Sequence, residues 1–256
     1  MQHKLLLKFA MQAGEIMLRS GAETSRVEDT IGRILSVYNL DVVEAFVTPT
    51  GIFATIDDEA IEMTTLVKRI RYRSTRLDKV ALVNDLSRKF VAGNITLPDA
   101  MIQLNKIDQT PPYPPYISIS ATGLVSAFFT VVFGGNLRDC VVSLFIGTFL
   151  GFMQHYFIKA KSSRFLIDLI GGCLIGTLAL LFTKLIPMTN LDPVIIGSIM
   201  PLVPGVAITN AIRDTIEGDL LSGVSRGVEA FFVAVSIATG VGIVLKIWFA
   251  LQGGLL

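Results

Sequence analysis

Val194-Ile-Ile-Gly-Ser-Ile-Met-Pro201-Leu-Val-Pro204-Gly205-Val-Ala-Ile-Thr-Asn210-Ala-Ile-Arg213-Asp214 is apolar and long enough to enter a bilayer, yet it holds two prolines three residues apart, followed by glycine. Each proline lacks a backbone donor and its ring obstructs the carbonyl one turn earlier, so a regular helix is interrupted there. The break lies about ten residues from either end of the run, which predicts irregular backbone near mid-membrane. Backbone of that kind persists at depth only where protein or a water-filled cavity satisfies its polar groups. A half-helix starting at Gly205 would aim the free N–H groups of Val206, Ala207 and Ile208, at the positive end of its dipole, toward an anionic substrate group. A proline kink without a ligand accounts for the same residues more plainly.

This run is the fourth of five apolar stretches, at about 117–135, 140–158, 165–186, 193–212 and 226–250. About 20 residues of helix cross a hydrocarbon core of about 30 Å, so each is a candidate span. Residues 1–110 differ: they carry 14 Lys/Arg and 14 Asp/Glu, against 8 and 7 in the remaining 146. The whole chain, with 17% charged residues and a mean hydropathy of +0.62, is too apolar for an ordinary soluble protein. The expected fold is therefore an α-helical membrane protein, with five transmembrane helices preceded by a small soluble α+β domain. The expected division is a cytosolic domain over 1–110, a Pro-rich linker over 111–116 and a membrane domain over 117–256. A net charge of +1 gives no reason to expect nucleic acid as a partner.

Within 1–110, Leu6, Ala10, Ala13, Ile16 and Met17 recur at helical spacing and predict a retained amphipathic helix ending at Ser20-Gly21. A second helix is expected from Thr24 to Val37. Strands follow over 41–48, 52–56 and 61–71, with Pro49-Thr50-Gly51 and Asp57-Asp58-Glu59 as turns and a basic edge on the last strand. Helices are expected again over 77–91 and 97–105. Thr110-Pro-Pro-Tyr-Pro-Pro-Tyr116 reads as a stiff extended linker with interfacial tyrosines. Cys140, Cys173, His3 and His155 are isolated, which speaks against a zinc site, a disulfide framework or a Cys–His nucleophile; no cofactor and no metal is expected.

Lys159-Ala-Lys161-Ser-Ser-Arg164 is the most basic loop, and the positive-inside rule places it in the cytosol of a bacterial inner-membrane protein. The N-terminal domain, Arg213 and Arg226 then share that side, while Arg138, Lys184, Lys246 and the C-terminal Gly253-Gly-Leu-Leu256 lie outside.

Polar groups near the spans are the candidates for chemistry. Asn210, Asp214 and Glu217 share one helical face, and Arg213, Gly218 and Asp219 complete a dense cluster at the cytosolic mouth. A gate or proton-coupling site is one reading and a solvated loop is the other. Asp168, in Phe165-Leu-Ile-Asp168-Leu-Ile-Gly-Gly, is an intramembrane carboxylate and so a functional suspect. A salt bridge to Lys161 or Arg164 is the plainer account, and Glu229 holds the corresponding shallow position in the last span. The pairs Gly147/Gly151, Gly172/Gly176 and Gly223/Gly227 permit close helix packing. Ser20, Glu23, Arg26 and Asp29 sit at a polar helix junction, as a small site or as helix capping with surface pairs.

Ser20-Gly-Ala-Glu-Thr-Ser-Arg-Val-Glu-Asp29, Phe46-Val-Thr-Pro-Thr-Gly-Ile52 and Pro204-Gly205…Asn210-Ala-Ile-Arg-Asp214…Gly218-Asp219…Gly223 resemble the threonine/serine exporter (ThrE) family in order and spacing. The resemblance covers nearly the whole chain. It implies that full-length members are two fused membrane halves and that this chain looks like the N-terminal half, as in the YjjP-type subunits. It further implies a second small integral membrane subunit (YjjB-like) as partner, a possible higher oligomer, and export of dicarboxylates such as succinate. The functional positions it carries over are Glu23, Thr24, Arg26, Pro204, Gly205, Asn210, Asp214, Gly218 and Asp219.

The resulting expectation is a secondary exporter subunit, not an enzyme. Pro201, Pro204, Gly205, Val206, Ala207, Asn210 and Arg213 would meet a small carboxylate substrate. Asp168, Asp214, Glu217, Gly218, Asp219, Glu23, Thr24 and Arg26 would couple or gate. A threonine or serine exporter keeps transport and changes the substrate. A membrane-tethered enzyme with its site in residues 1–110 rests on the Glu23–Asp29 cluster, but no nucleophile–His pair, metal spacing or phosphate-cradling loop accompanies it. A purely structural scaffold is the remaining reading.

Overall fold

The helical periodicity of the first twenty positions folds as α1 (Gln2–Arg19), closed by Gly21 at φ +93°, a conformation that only glycine takes without strain. The computed structural model describes residues 2–59, 61–159 and 163–252. Lys161, with the centre of the basic loop, and Gly253–Leu256 lie outside the described residues.

The next elements are α2 (Thr24–Leu35), a 3-10 turn at Ser36–Tyr38, β1 (Val42–Thr48), β2 (Gly51–Asp58), β3 (Ile61–Arg69), α3 (Leu77–Val91) and α4 (Leu97–Gln109). The strands form one antiparallel sheet in the order β1-β2-β3, and Thr48 pairs with Gly51 across Pro49-Thr50. The expected elements are present with shifted ends: β2 takes in Gly51, Asp57 and Asp58, which were expected in turns, β3 ends at Arg69, α2 tightens into the 3-10 turn at Ser36, and α4 runs on to Gln109. The β3 edge is exposed as expected, and Lys68 pairs with Glu15 of α1 at 2.9 Å.

Beyond Pro111 come α5 (Pro115–Val132), α6 (Leu137–Lys159), α7 (Arg164–Leu185), α8 (Leu191–Ile199), a 3-10 turn at Met200–Leu202, α9 (Gly205–Ile216) and α10 (Leu220–Leu251). Among the described residues, α5, α6, α7 and α10 are each long and apolar enough to cross a membrane. Residues 191–216 make a fifth span only if their two pieces count as one broken span.

The expectations for this half need three corrections. The linker is shorter than 111–116, because α5 starts at Pro115; proline suits a first helical turn, where its missing N–H has no partner to lose. The fourth span breaks at its prolines as expected, and the correction is to its bounds: the pieces run over Leu191–Leu202 and Gly205–Ile216 rather than 193–212, separated by Val203-Pro204. The last helix starts at Leu220, not 226, so Arg226 is a helical residue and is buried rather than part of a solvated loop.

The chain forms two compact units. One holds the residues up to Pro111 together with Gly205–Val228; the other holds Pro112–Pro204 together with the residues from Glu229 onward. In the first unit α1 is buried along most of its length, through Leu6, Leu7, Phe9, Ala10, Ala13, Ile16, Met17 and Leu18. A Cβ on Gly14 would stand 2.6 Å from Ile31 Cδ1, so this glycine lets α1 and α2 touch. The inner sheet face (Val47, Ile52, Ala54, Ile56) and α3–α4 (Val83, Leu86, Phe90, Leu104) complete that core.

In the second unit small residues set the packing. A Cβ on Gly151 would lie 3.0 Å from Ile119 Cα of α5, and one on Gly172 would lie 2.6 Å from the Ile237 carbonyl of α10. Gly147 and Gly176 likewise face neighbours, whereas Gly227, in the first unit, has nothing within 4 Å. Hydroxyls in these helices bond to the carbonyl four residues back, as Thr122 does to Ser118 and Thr177 to Cys173, which leaves little polar character to meet lipid.

Candidate functional site

The polar groups of the α1–α2 junction and of α9–α10 meet within the first unit, across nearly two hundred residues of sequence. Glu23 occupies the N-cap position of α2 in extended conformation but makes no capping bond of its own. The unsatisfied N–H of Thr24, at the start of that helix, donates instead to Asp214 Oδ1 at 3.2 Å. Thr24 Oγ1 donates to Asp219 Oδ2 at 3.2 Å, and Ser25 Oγ donates to Glu217. Three carboxylates from α9 and the following turn thus gather at the positive end of α2.

Cations and amides complete the latch. Asn210 Nδ2 donates to the Gly21 carbonyl at 2.9 Å, and Arg226 Nη2 donates to the Ala22 carbonyl at 2.9 Å. Arg226 Nε also stands 3.0 Å from Asp214 Oδ2, in an ion pair whose angle departs from hydrogen-bond geometry; both residues are buried. Glu23 binds two guanidiniums: Arg213 on one oxygen and Arg26 Nε on the other at 3.0 Å. Gly218, at φ +95°, ends α9 and turns the chain so that Asp219 N can donate to the Asp214 carbonyl at 2.8 Å. Gly223 is needed as well, since a Cβ there would lie 3.0 Å from the Ala211 carbonyl.

Glu28, one turn further along α2, accepts from Val47 N at 2.7 Å. Burial pushes its carboxyl above the ordinary value of 4.5; the Val47 bond opposes the shift, and the charges of Asp219 and Asp214 add to it.

Of the residues picked out in the sequence, Glu23, Thr24, Arg26, Asn210, Arg213, Asp214, Glu217, Gly218 and Asp219 come together in this latch. The small site expected from Ser20, Glu23, Arg26 and Asp29 does not form: Asp29 pairs with Arg33 on its own helix, and only Glu23 and Arg26 meet. Glu217 lies beyond the end of α9 rather than on its face, yet reaches Ser25. Val206 and Ala207 fall in the first turn of α9, which begins at Gly205 as expected. Gly205–Val228 belongs to the unit built on the charged N-terminal elements, and Pro201 and Pro204 belong to the other. The polar side of α9 is satisfied there, while Ile208, Ile212 and Ile216 stay exposed. Two surface hollows, one around Lys89, Asp99 and Lys106 and one around His3, Ile56 and Glu62, contain none of the expected site residues.

Asp168 lies in the second unit and is buried, with Arg164 Nε at 3.9 Å; Arg164 Nη1 stands 3.6 Å from Glu229 Oε1. Of the two partners expected for Asp168, Arg164 stands nearby; Lys161 lies outside the described residues. Four residues are not singled out as site residues by the sequence: Ser25 and Arg226, which join the latch, and Glu28 and Asp139. Glu28 was visible only as one more charge in a polar motif. Asp139, fully buried, accepts from Asn136 N at 2.9 Å, Asn190 N at 2.7 Å and Asn190 Nδ2 at 3.0 Å, stapling the α5–α6 turn to the start of α8.

Apolar helices of spanning length, packed through glycine, are those of a membrane protein. The chain belongs to the ThrE family, described as "Putative threonine/serine exporter", whose model matches residues 8–248. It is 22% identical, over 94% of its own length and 46% of the other's, to "Probable threonine/serine exporter" of Mycobacterium tuberculosis (strain ATCC 25618 / H37Rv). It is 24% identical to "Probable succinate transporter subunit YjjP" of Escherichia coli (strain K12), over 96% of both chains. It is 22% identical, over 94% of its own length and 51% of the other's, to "Threonine/serine exporter" of Corynebacterium glutamicum. The chain therefore spans about half the length of the two threonine/serine exporters and nearly all of the YjjP subunit. No solved structure matches it significantly.

Proposed function

We propose that this chain is one subunit of an inner-membrane exporter of small carboxylates, with a dicarboxylate such as succinate as substrate and a second small membrane subunit as partner. The observation that carries the reading is the double use of Glu23, whose carboxylate holds Arg213 and Arg26 at once. A substrate carboxylate is the same chemical group. It can replace Glu23 on Arg213 and so release α9 from the α1–α2 junction, which makes Arg213 an entry residue and the latch a gate. Guanidinium suits this role because its donors match a carboxylate in a bidentate fork.

Thr24, Asp214, Glu217, Gly218 and Asp219 then hold the closed gate. Pro201 and Pro204 interrupt the preceding helix, and the first N–H groups of α9 behind Gly205, at Val206 and Ala207, receive the second carboxylate once the gate opens. Near-complete coverage of a relative named as a succinate transporter subunit supports the dicarboxylate and the two-subunit assembly. The two longer relatives, named for threonine and serine, keep a hydroxy amino acid as the second reading. The N-terminal segment and Arg213 face the cytosol in this scheme and the C-terminus faces outward.

Efflux of labelled succinate from cells carrying the chain, with and without a YjjB-like partner, tests the proposal. Succinate efflux that needs both proteins, is not competed by serine, and falls in Arg213→Gln is the expected result. Serine efflux without succinate efflux would replace the substrate. Turnover of a metabolite by the chain with no transport at all would overturn the exporter reading.

A further inference from the structure

Asp168 lies one turn before Gly171 and Gly172, on the face of α7 that packs most tightly. A Cβ on Gly171 would stand 3.0 Å from Leu202 and 3.2 Å from Leu150; one on Gly172 would stand 2.6 Å from the Ile237 carbonyl. These glycines put that face of α7 against α6, the turn after α8, and α10, and only 5% of Asp168 is exposed. Its Oδ2 is buried and has no hydrogen-bond donor among the described residues. Arg164 Nε, at 3.9 Å, is beyond hydrogen-bond reach, and the same guanidinium is drawn toward Glu229, 3.6 Å away on α10. Arg164 is itself half exposed, so its charge is shared between two carboxylates and the surroundings.

Every other carboxylate suspected of coupling is engaged: Asp214 with Thr24 and Arg226, Glu217 with Ser25, Asp219 with Thr24, and Glu23 with Arg213 and Arg26. The other ionisable groups on the packed elements are placed differently. On α6, His155 and Lys159 are exposed and Asp139 is fully hydrogen-bonded near the opposite end; on α8 the single one is Asp192, in the first turn.

We propose that Asp168 is the proton-binding carboxylate of this transporter, exchanging a charged form held by Arg164 for a protonated form that releases Arg164 to Glu229. This deepens the exporter reading above and rests on it. One proton passes from water to Oδ2, and no other bond forms or breaks. The new O–H gains a local acceptor in the Arg164 carbonyl four residues back, the geometry that Thr177 and Thr183 already use on the same helix. Freed from Asp168, Arg164 pairs with Glu229 and ties the start of α7 to α10, so occupancy by a proton becomes a change in how two spans are joined.

The test uses the full chain in lipid nanodiscs and pH-difference infrared spectroscopy, which reads the protonated carboxyl carbonyl directly. A titrating band that disappears in Asp168→Asn, persists in Asp192→Asn, and moves in midpoint in Asp168→Glu is the expected result. A band unchanged in Asp168→Asn overturns the assignment. If Asp168→Asn does not assemble, the Asp168→Glu midpoint decides alone, and an unmoved midpoint has the same negative meaning. With the partner subunit in proteoliposomes, Asp168→Asn should lose succinate movement driven by a pH gradient while retaining exchange of labelled for unlabelled succinate. Full gradient-driven transport in that variant also overturns the proposal. Failure of the exporter reading looks different, since the wild type would then move no succinate while its infrared titration persists.

Discussion

Asp214 Oδ1 accepts the backbone N–H of Thr24 at 3.2 Å, so the first turn of α2 is capped by a carboxylate 190 residues away in sequence. A helix end is normally capped by its own neighbours. Here the cap is borrowed, and the junction is complete only when α9 is in place. The ion pair of the same carboxylate with Arg226 means that releasing α9 exposes or strands two charges.

Breaking that pair from one side should destabilise the chain strongly. Asp214→Ala takes a buried carboxylate from the buried Arg226 and is expected to cost about 3–5 kcal/mol. Unfolding in denaturant, followed in detergent, gives the measurement. The double variant Asp214→Leu with Arg226→Met should recover most of the loss, because it removes both charges. A single-variant effect below about 1 kcal/mol would mean that the pair is solvated.

Glu23 and Arg213 are a different case, since the arginine side chain is about half exposed. Such pairs contribute little to stability, about 0.2–1 kcal/mol, so their exchange should be read in transport. Arg213→Glu places two carboxylates together and should open the latch and lower succinate efflux. Glu23→Arg combined with Arg213→Glu should close the latch again without restoring efflux, because the entry cation has moved. Full efflux in the double variant would remove Arg213 from substrate entry.

Glu28 supplies a pH dependence with a defined sign. Its carboxyl titrates above 4.5 when folded, so between 4.5 and the raised folded value the native chain holds more of a proton than the unfolded chain does. Stability from this group is therefore present at the acidic side and is lost as pH rises through that window. Glu28→Gln keeps an acceptor for Val47 N and removes the titration. Thermal unfolding across the window should show a flatter pH profile for the variant; an identical slope would assign the dependence elsewhere.

Two glycines should respond in opposite directions. Gly172→Ala forces a methyl group to within 2.6 Å of the Ile237 carbonyl, a backbone atom that cannot rotate away, and is expected to destabilise by about 1–3 kcal/mol. Gly227→Ala meets open space on a helix and should stabilise by about 0.5–1 kcal/mol. Detergent-induced unfolding of both variants checks the pair. Equal effects would mean that the α7–α10 approach is looser than described.

Much of the fold was legible because it depends on local pattern. The spacing of Leu6, Ala10, Ala13 and Ile16 is enough for α1, and the alternation around Pro49-Thr50 is enough for the hairpin. The apolar lengths of α5, α6, α7 and α10 likewise need no knowledge of partners. Pro201 and Pro204 announced the break, since a missing donor acts on its own helix whatever surrounds it. The start of α10 was misjudged by six residues because Arg226 reads as a boundary charge until its partner is known.

The site divides in the same way. Sequence alone determined which residues are polar where apolar ones are expected: Glu23 and Arg26 at one junction, Asn210, Arg213 and Asp214 at another, and Asp168 within a span. Tertiary structure alone decided that the two junctions are one latch, that Glu28 is half-buried against Val47 and Asp139 fully buried, and that Asp168 keeps an oxygen without a donor among the described residues. Residue type and periodicity act within a turn or two of chain, whereas a charge is judged by what stands within a few ångströms of it, and that distance is set by folding.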